Sequence, residues 1–166
     1  TKPREEMEAV SDLDSKKNSN VKKLCKMVRA WKNQHGVEMG GLLIDTLCYN
    51  FFQSTTEYDD KSYLYYDLIS RDFFKYICEL PSQDRYIAPG SGQHVKVKKA
   101  FQRKAKKAYD LCLEAIEAET QKGVNDKWKK IYGREFPSSS DLVKEESNNR
   151  SVITWDNTEE FIEDKY

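Results

Sequence analysis

Apolar side chains recur every three or four positions along most of residues 20–132, which is the period of an amphipathic α-helix. The second predicted helix is the clearest case, with Val21, Leu24, Val28 and Trp31 on one face. Alternation with a period of two, which marks a half-buried strand, is almost absent before Phe136. The pattern predicts helices that begin at Pro3 and then cover residues 20–35, 42–52, 61–80, 97–121 and 125–132.

The segment 42–52 differs from the other helices because apolar residues lie on every side of it, as in a fully buried helix. We therefore predict an all-α fold, a bundle of about five to seven helices around this central helix. Residues 14–19 form a polar linker before the second helix, and Asn20 is predicted to cap that helix. Residues 83–94 are predicted to form a loop.

Three regions follow from the change in composition near residue 137. Residues 1–137 form one helical domain with enough apolar residues for a core. Residues 138–154 are rich in serine, asparagine and acidic residues, which predicts a flexible linker. Residues 155–166 mix aromatic and acidic side chains and end abruptly, and we expect them to be a truncated segment.

The formal net charge of +0 conceals an uneven distribution of charge. Residues 20–134 carry 21 basic and 14 acidic side chains, whereas residues 135–166 carry three basic and nine acidic ones. A basic body with an acidic tail favours an anionic ligand such as a nucleotide, a nucleic acid or phosphate. Solvated helix faces without any ligand are the alternative explanation.

Several classes of protein are disfavoured by the sequence. It contains neither a run of about 18 apolar residues nor a charged-then-apolar leader, so we expect no membrane span and no secretion. Four widely spaced cysteines and two histidines do not form the ligand cluster that zinc needs. We expect a cytoplasmic protein with no metal ligands of its own and with reduced cysteines in its core. These are Cys25, Cys48, Cys78 and Cys112.

Lys22, Lys26 and Arg29 are the first candidate ligand-binding residues. Their spacing of four and three places them on one helix face, beside the apolar stripe, where a phosphate could be held in partial burial. The pair Gly40-Gly41 precedes the central helix, whose free N–H groups and dipole favour an anion. Taken alone, the basic residues are more commonly a solvated stripe, and an ordinary helix-entry turn explains the two glycines equally well.

Other polar residues give weaker signals. Ser91 and Gln93 offer a hydroxyl and an amide in a glycine-containing loop, although an ordinary surface loop is the commoner explanation when this feature is taken alone. Asp45 lies within the apolar central helix and needs a partner, so we predict a structural ion pair with a cation such as Arg71. A cluster of basic residues could hold nucleic acid or a second phosphate, with a solvated face as the alternative. It comprises Lys96, Lys98, Lys99, Arg103, Lys104, Lys106 and Lys107.

Two long stretches resemble a known family, and shorter ones in the same order support the resemblance. The long stretches are Leu24-Cys25-Lys26-Met27-Val28-Arg29-Ala30-Trp31-Lys32 and Met39-Gly40-Gly41-Leu42-Leu43-Ile44-Asp45-Thr46-Leu47. The shorter ones are residues 70–74, 89–92, 101–105 and 128–137. Together they resemble the helical C-terminal half of bacterial SMODS-type enzymes, the cyclic di- and oligonucleotide synthases of the cGAS/DncV-like nucleotidyltransferase family.

The resemblance implies that this chain holds the nucleoside triphosphate. The family's phosphate-contacting lysine corresponds to Lys26, and its small residue at the next helix N-terminus corresponds to Gly40 or Gly41. Relatives often have a serine there, a hydroxyl that this chain lacks. Ala88 stands where some relatives carry an aspartate that recognises a base edge, so guanine selection by that route is not expected.

The resemblance also implies that catalysis resides in an N-terminal half that this sequence does not include. That half would hold magnesium through paired carboxylates, and the substrates would be ATP or GTP. No Asp-x-Asp or Glu-x-Asp pair follows a Gly-Ser here, so we expect no catalytic residue in this chain and no activity of the chain alone. The intact enzyme would serve bacterial anti-phage signalling. Residues 155–166 resemble the lead-in to the C-terminal sensor domain of some family members, which implies a truncated lead-in to a further, sensor-type domain.

The predicted site therefore consists of Lys22, Lys26, Arg29, Gly40, Gly41, Ser91 and Gln93. The expected partners are nucleoside triphosphates and the catalytic half, with nucleic acid as a lesser candidate. Two alternative functions stay open: a non-enzymatic helical module that binds nucleic acid through the lysine cluster, and a purely structural interaction domain.

Overall fold

The computed structural model describes residues 2–138, 142–145 and 150–153. In these residues it contains six α-helices, a short 3-10 helix and two small antiparallel hairpins, which confirms the predicted all-α fold. The helices are α1 (Pro3–Lys16), α2 (Asn20–His35), α3 (Gly41–Gln53), α4 (Tyr66–Cys78), α5 (Gln102–Glu117) and α6 (Gln121–Tyr132). The strands are β1 (Arg85–Ile87), β2 (His94–Lys96), β3 (Leu142–Glu145) and β4 (Arg150–Ile153), and the 3-10 helix is Tyr63–Tyr65.

α2 and α3 form an antiparallel pair because only a short turn separates them. Gly36 ends α2 in the left-handed conformation (φ 59°), which glycine adopts at little cost, and its N–H donates to the Lys32 carbonyl. The buried face of α2 includes Trp31, which packs against Phe74 of α4 with 5.0 Å between ring centroids. Ile44 and Leu47 of α3 are fully buried, as the pattern of the central helix predicts.

The N-terminus of α2 differs from the prediction. Asn20 does not cap the helix: its side chain is buried and donates to the carbonyls of Tyr58 and Lys61. The cap comes instead from the preceding helix, where the Asp14 carboxylate accepts from the Lys22 backbone N–H at 2.9 Å. Part of the predicted polar linker is thus the last turn of α1, which fixes the angle between α1 and α2.

The single long helix predicted over residues 97–121 is also wrong in extent. α5 begins only at Gln102 and ends at Glu117, because Ala118 adopts an extended conformation (φ −62°, ψ 136°). The hydroxyl of Thr120 then accepts from the Gly123 N–H at 3.0 Å and starts α6 four residues earlier than predicted. The two helices predicted in this region are therefore both present, but the turn between them lies at residues 118–120.

The predicted loop 83–94 contains β1 and the connection to β2, and these two strands form a hairpin in which Tyr86 pairs with Val95. The tip of the hairpin packs against α1 at Gly90. This glycine has φ 78°, and a Cβ atom there would lie 2.2 Å from the Glu5 carbonyl oxygen. Only glycine allows this close approach between the hairpin and the backbone of α1.

The predictions for residues 138–166 are covered only in part by the described residues. β3 and β4 pair as an antiparallel hairpin within the predicted linker, whose flexibility stays a prediction. The predicted lead-in of residues 155–166 lies outside the described residues. Among the helices described, none is both long and apolar enough to cross a membrane.

The four cysteines form no disulfide bond, and three of them lie in the core. Cys25, Cys48 and Cys112 are buried, whereas Cys78 at the end of α4 is partly exposed. Burial raises the pKa of the Cys48 thiol well above its usual value, and the hydrogen bond with Cys25 raises it further. Burial likewise raises the pKa of Cys112.

Candidate cationic cleft

One cleft of about 490 Å³ brings together most of the predicted site. Its three helical walls each contribute residues at helical spacing: Glu6, Met7 and Val10 from α1, then Lys22, Cys25, Lys26 and Arg29 from α2, then Gly41, Leu42 and Asp45 from α3. Pro89 of the β1–β2 loop closes one edge. The volume is in the range of small-molecule sites, roughly 300–1,000 Å³.

Lys22 and Lys26 supply the uncompensated positive charge of this cleft. Lys22 is exposed and Lys26 is half-buried. Neither ammonium group forms an ion pair with a carboxylate of residues 2–138. They lie one helical turn apart, so a single anionic group in the cleft can contact both.

Arg29 is positioned by Asp45, and the predicted pairing of Asp45 with Arg71 is wrong. The guanidinium of Arg29 lies 2.8 Å from the Asp45 carboxylate, and both side chains are 29% exposed. Arg71 instead pairs with its neighbour Asp72 at 2.8 Å. Arg29 also donates to the Gly41 carbonyl at 3.4 Å, so the ion pair fixes the guanidinium over the first turn of α3.

The two glycines at the start of α3 lie on different surfaces. Gly41 lines the cleft, and a Cβ atom there would lie 3.3 Å from the Arg29 guanidinium. Gly40 is the N-cap residue and lines a separate concavity with Lys32 and Lys98. Glycine has no side chain to satisfy the first N–H groups of α3, so this helix end retains the polarity that favours an anion.

Ser91 and Gln93 of the loop do not line the cleft. The Ser91 hydroxyl donates to the carboxylate of Glu6 at 2.7 Å and accepts from the Gln93 backbone N–H. Glu6 is only 6% exposed, and this hydrogen bond satisfies one of its oxygens in a site where an unpaired carboxylate would be costly. In this arrangement the loop positions a cleft residue and fixes α1 beside it.

The remaining basic cluster lies elsewhere on α5 and the segment before it. Lys106 pairs with Asp110 at 2.6 Å, and Lys99 lies 4.0 Å from Glu38. The ammonium of Lys104 donates to the carbonyls of His35 and Gly36 at the end of α2. None of these side chains lines the cleft.

The cleft therefore combines three cations and two carboxylates with an apolar part formed by Met7, Val10 and Leu42. Phosphate oxygens would be attracted by Lys22, Lys26 and the N-terminus of α3, while the apolar part could contact a ring. In the described part of the chain, no three His, Cys, Asp or Glu side chains are grouped so as to hold a metal ion.

Sequence reasoning missed the contribution of α1. Glu6 and Met7 both line the cleft, and neither is among the site residues predicted from the sequence. The signal was present in part, because residues 3, 6, 7 and 10 lie on one face of α1. What the sequence does not contain is the packing angle that turns this face towards α2.

Comparisons with known proteins identify no relatives. No family model matches the chain, and no curated protein or solved structure matches it significantly. The fold and the cleft therefore characterise the protein as a helical bundle with a cationic cleft at the junction of α1, α2 and α3. The family described above stays a resemblance.

Proposed function

We propose that this protein is the helical, triphosphate-binding part of a nucleotidyltransferase that makes cyclic di- or oligonucleotide signals, in the cytoplasm of a bacterium defending itself against phage. The observation that supports the proposal most is the convergence of Lys26, Arg29 and Gly41 in one cleft. The resemblance assigns the triphosphate to the same lysine and to the same helix N-terminus.

Each wall of the cleft has a part in this proposal. Lys22 and Lys26 would contact phosphate oxygens, and the Gly41 and Leu42 N–H groups would donate hydrogen bonds to a further phosphate oxygen. Asp45 would not contact the phosphates itself; it would hold the Arg29 guanidinium beside them. Val10 and Met7 would face the sugar or the base.

The chemistry itself would need residues outside this chain. Attack of a ribose hydroxyl on an α-phosphate requires magnesium held by paired carboxylates, and a further part of the enzyme would supply them. The 166-residue chain should accordingly form no phosphodiester product from ATP or GTP with magnesium. Metal-dependent product formation by the pure chain would contradict this division of roles.

The binding role is tested by calorimetric titration of ATP into the chain and into Lys26→Ala. A charge-assisted hydrogen bond contributes about 1.5–3 kcal/mol, so the variant should bind roughly 10 to 100 times more weakly. Lys75→Ala is the matched control, because Lys75 is exposed on α4 and outside the cleft. Equal losses in both variants, or none in Lys26→Ala, would overturn the proposal.

A further inference from the structure

A thiol lines the cationic cleft, and the proposed function does not use it. Cys25 lies on α2 between Lys22 and Arg29, about one helical turn from each, and is 4% exposed. The other three cysteines, all within the described residues, do not line the cleft. A phosphate is attracted by the cations beside Cys25 and not by a thiol, so Cys25 has no part in triphosphate binding.

A hydrogen bond links the thiol of Cys25 to the thiol of Cys48 on the neighbouring helix α3. The same two antiparallel helices are joined one turn away by Arg29 and Asp45, which lie 2.8 Å apart. Cys25 precedes Arg29 by four residues and Cys48 follows Asp45 by three, so the two thiols are the next pair across the two helices in the same register. Cys48 is fully buried, and the pair therefore extends from the cleft into the core.

The two thiols have different surroundings. Positive charges such as those of Lys22 and Arg29 favour a thiolate, which is the form that a peroxide oxidises. Burial raises the pKa of Cys48 well above its usual value and the hydrogen bond with Cys25 raises it further, so Cys48 stays protonated. A thiol that an oxidant can reach, with a second thiol in contact behind it, is the arrangement found in redox-sensitive cysteine pairs.

We propose that Cys25 and Cys48 form a redox pair, in which a hydroperoxide that enters the cleft oxidises Cys25 and Cys48 then closes a disulfide between α2 and α3. In the first step the Cys25 thiolate attacks one oxygen of the hydroperoxide, and the O–O bond breaks. The other oxygen takes up a proton and leaves as water or an alcohol. In the second step the Cys48 sulfur attacks the sulfur of the Cys25 sulfenic acid, and the Cys48 proton leaves with the hydroxyl group as water. The two thiols thereby give two electrons to the peroxide.

The disulfide joins the two helices that form adjacent walls of the cleft, one turn from the Arg29–Asp45 ion pair. The S–S bond is about 2.05 Å long, so the two sulfur atoms must move from hydrogen-bond contact to bonding distance. Side-chain rotation and a slight approach of α2 to α3 provide this movement, and the approach acts on the position of the Arg29 guanidinium. The chemistry of the pair is independent of the ligand that the cleft binds, so its test is separate from that of triphosphate binding.

The test exposes the reduced 166-residue chain to hydrogen peroxide, blocks the remaining thiols, digests the chain without reductant and measures the peptide masses. We expect a peptide in which Cys25 is joined to Cys48, lighter by two hydrogen atoms than the sum of the separate peptides, and separated again by dithiothreitol. Cys78→Ala is the matched control, because Cys78 is partly exposed but does not line the cleft. This variant should form the same cross-link in the same yield.

Two single variants test the order of the steps. In Cys48→Ala the oxidation of Cys25 should stop at the sulfenic acid, which dimedone labels, or continue to the sulfinic acid. In Cys25→Ala the buried Cys48 should stay unoxidised, because the thiol that connects it to the cleft is gone. Oxidation of Cys48 in Cys25→Ala at the rate of the parent, or no cross-link in the parent while Cys78 is oxidised, would overturn the proposal. Thermal melting of each variant before peroxide is added checks that the fold is intact.

Discussion

Gly90 is the position where the structure predicts the sharpest effect of a single methyl group. In Gly90→Ala the new Cβ atom would lie 2.2 Å from the Glu5 carbonyl oxygen, 2.8 Å from its carbon and 3.0 Å from the Ala9 Cβ atom. The first two of these atoms are backbone of α1, so no flexible side chain can move aside. Either the β1–β2 loop or the first turns of α1 must shift.

The magnitude can be separated into two contributions with a second glycine. Both Gly90 and Gly92 have a left-handed φ, 78° and 70°, and alanine in that region costs about 1–2 kcal/mol. No atom lies within 4 Å of a Cβ placed at Gly92, so Gly92→Ala should lose only this backbone contribution. Overpacking costs about 1–3 kcal/mol more, which gives roughly 2–5 kcal/mol for Gly90→Ala.

The assay is urea denaturation followed by tryptophan fluorescence, which yields the free energy of unfolding of both variants and the parent. We expect Gly90→Ala to be the less stable variant by at least about 1 kcal/mol. Equal destabilisation by the two substitutions would show that the contact between the loop and α1 is absent in solution. The wall of the cleft formed by Glu6 and Met7 would then lack its support.

Two further predictions concern the helix connection and the core. Thr120→Ala removes the hydroxyl that accepts from the Gly123 N–H, so the free energy of unfolding should fall by about 1 kcal/mol in the same denaturation assay. Thr120→Ser keeps the hydroxyl and should leave the free energy of unfolding nearly unchanged. Equal losses of stability in the two variants would exclude the cap. Iodoacetamide at pH 8 should label Cys78 first, because this thiol is partly exposed. Cys48 and Cys112 should stay unmodified, because burial keeps their thiols inaccessible and a raised pKa keeps them protonated. Rapid labelling of Cys112 in the folded protein, detected by peptide mass, would contradict the packing of α5.

The predictable part of the fold is the part where apolar periodicity decides the outcome. α2 and α3 were predicted nearly to their ends, because their apolar residues and the turn at Gly36 are local signals. The break at Ala118 was not, since alanine favours a helix and the break depends on Thr120 starting the next one. The capping of α2 by Asp14 depends on tertiary packing and leaves no local signal.

The candidate site was predictable to a similar extent. The cationic face of α2 follows from spacing alone. The partner of Asp45 could have been inferred as well: a short turn makes α2 and α3 antiparallel, and Arg29 and Asp45 lie at similar distances from that turn. The sequence gives no comparable reason to place Arg71 close to Asp45. The burial of Glu6 and its contact with Ser91 join residues 85 positions apart, which periodicity cannot reveal.

The most direct test of triphosphate binding in the cleft is a titration of the ¹⁵N-labelled chain with ATP and magnesium, in which the chemical shift of each backbone amide is measured. We predict that the largest changes occur at Lys26, Gly41 and Leu42 and that they saturate together. Adenosine, which has no phosphates, should leave the Gly41 amide unchanged. If the largest changes fell instead on Arg103 and Lys107 of α5, or if no amide of the cleft responded, the cleft would not be the triphosphate site.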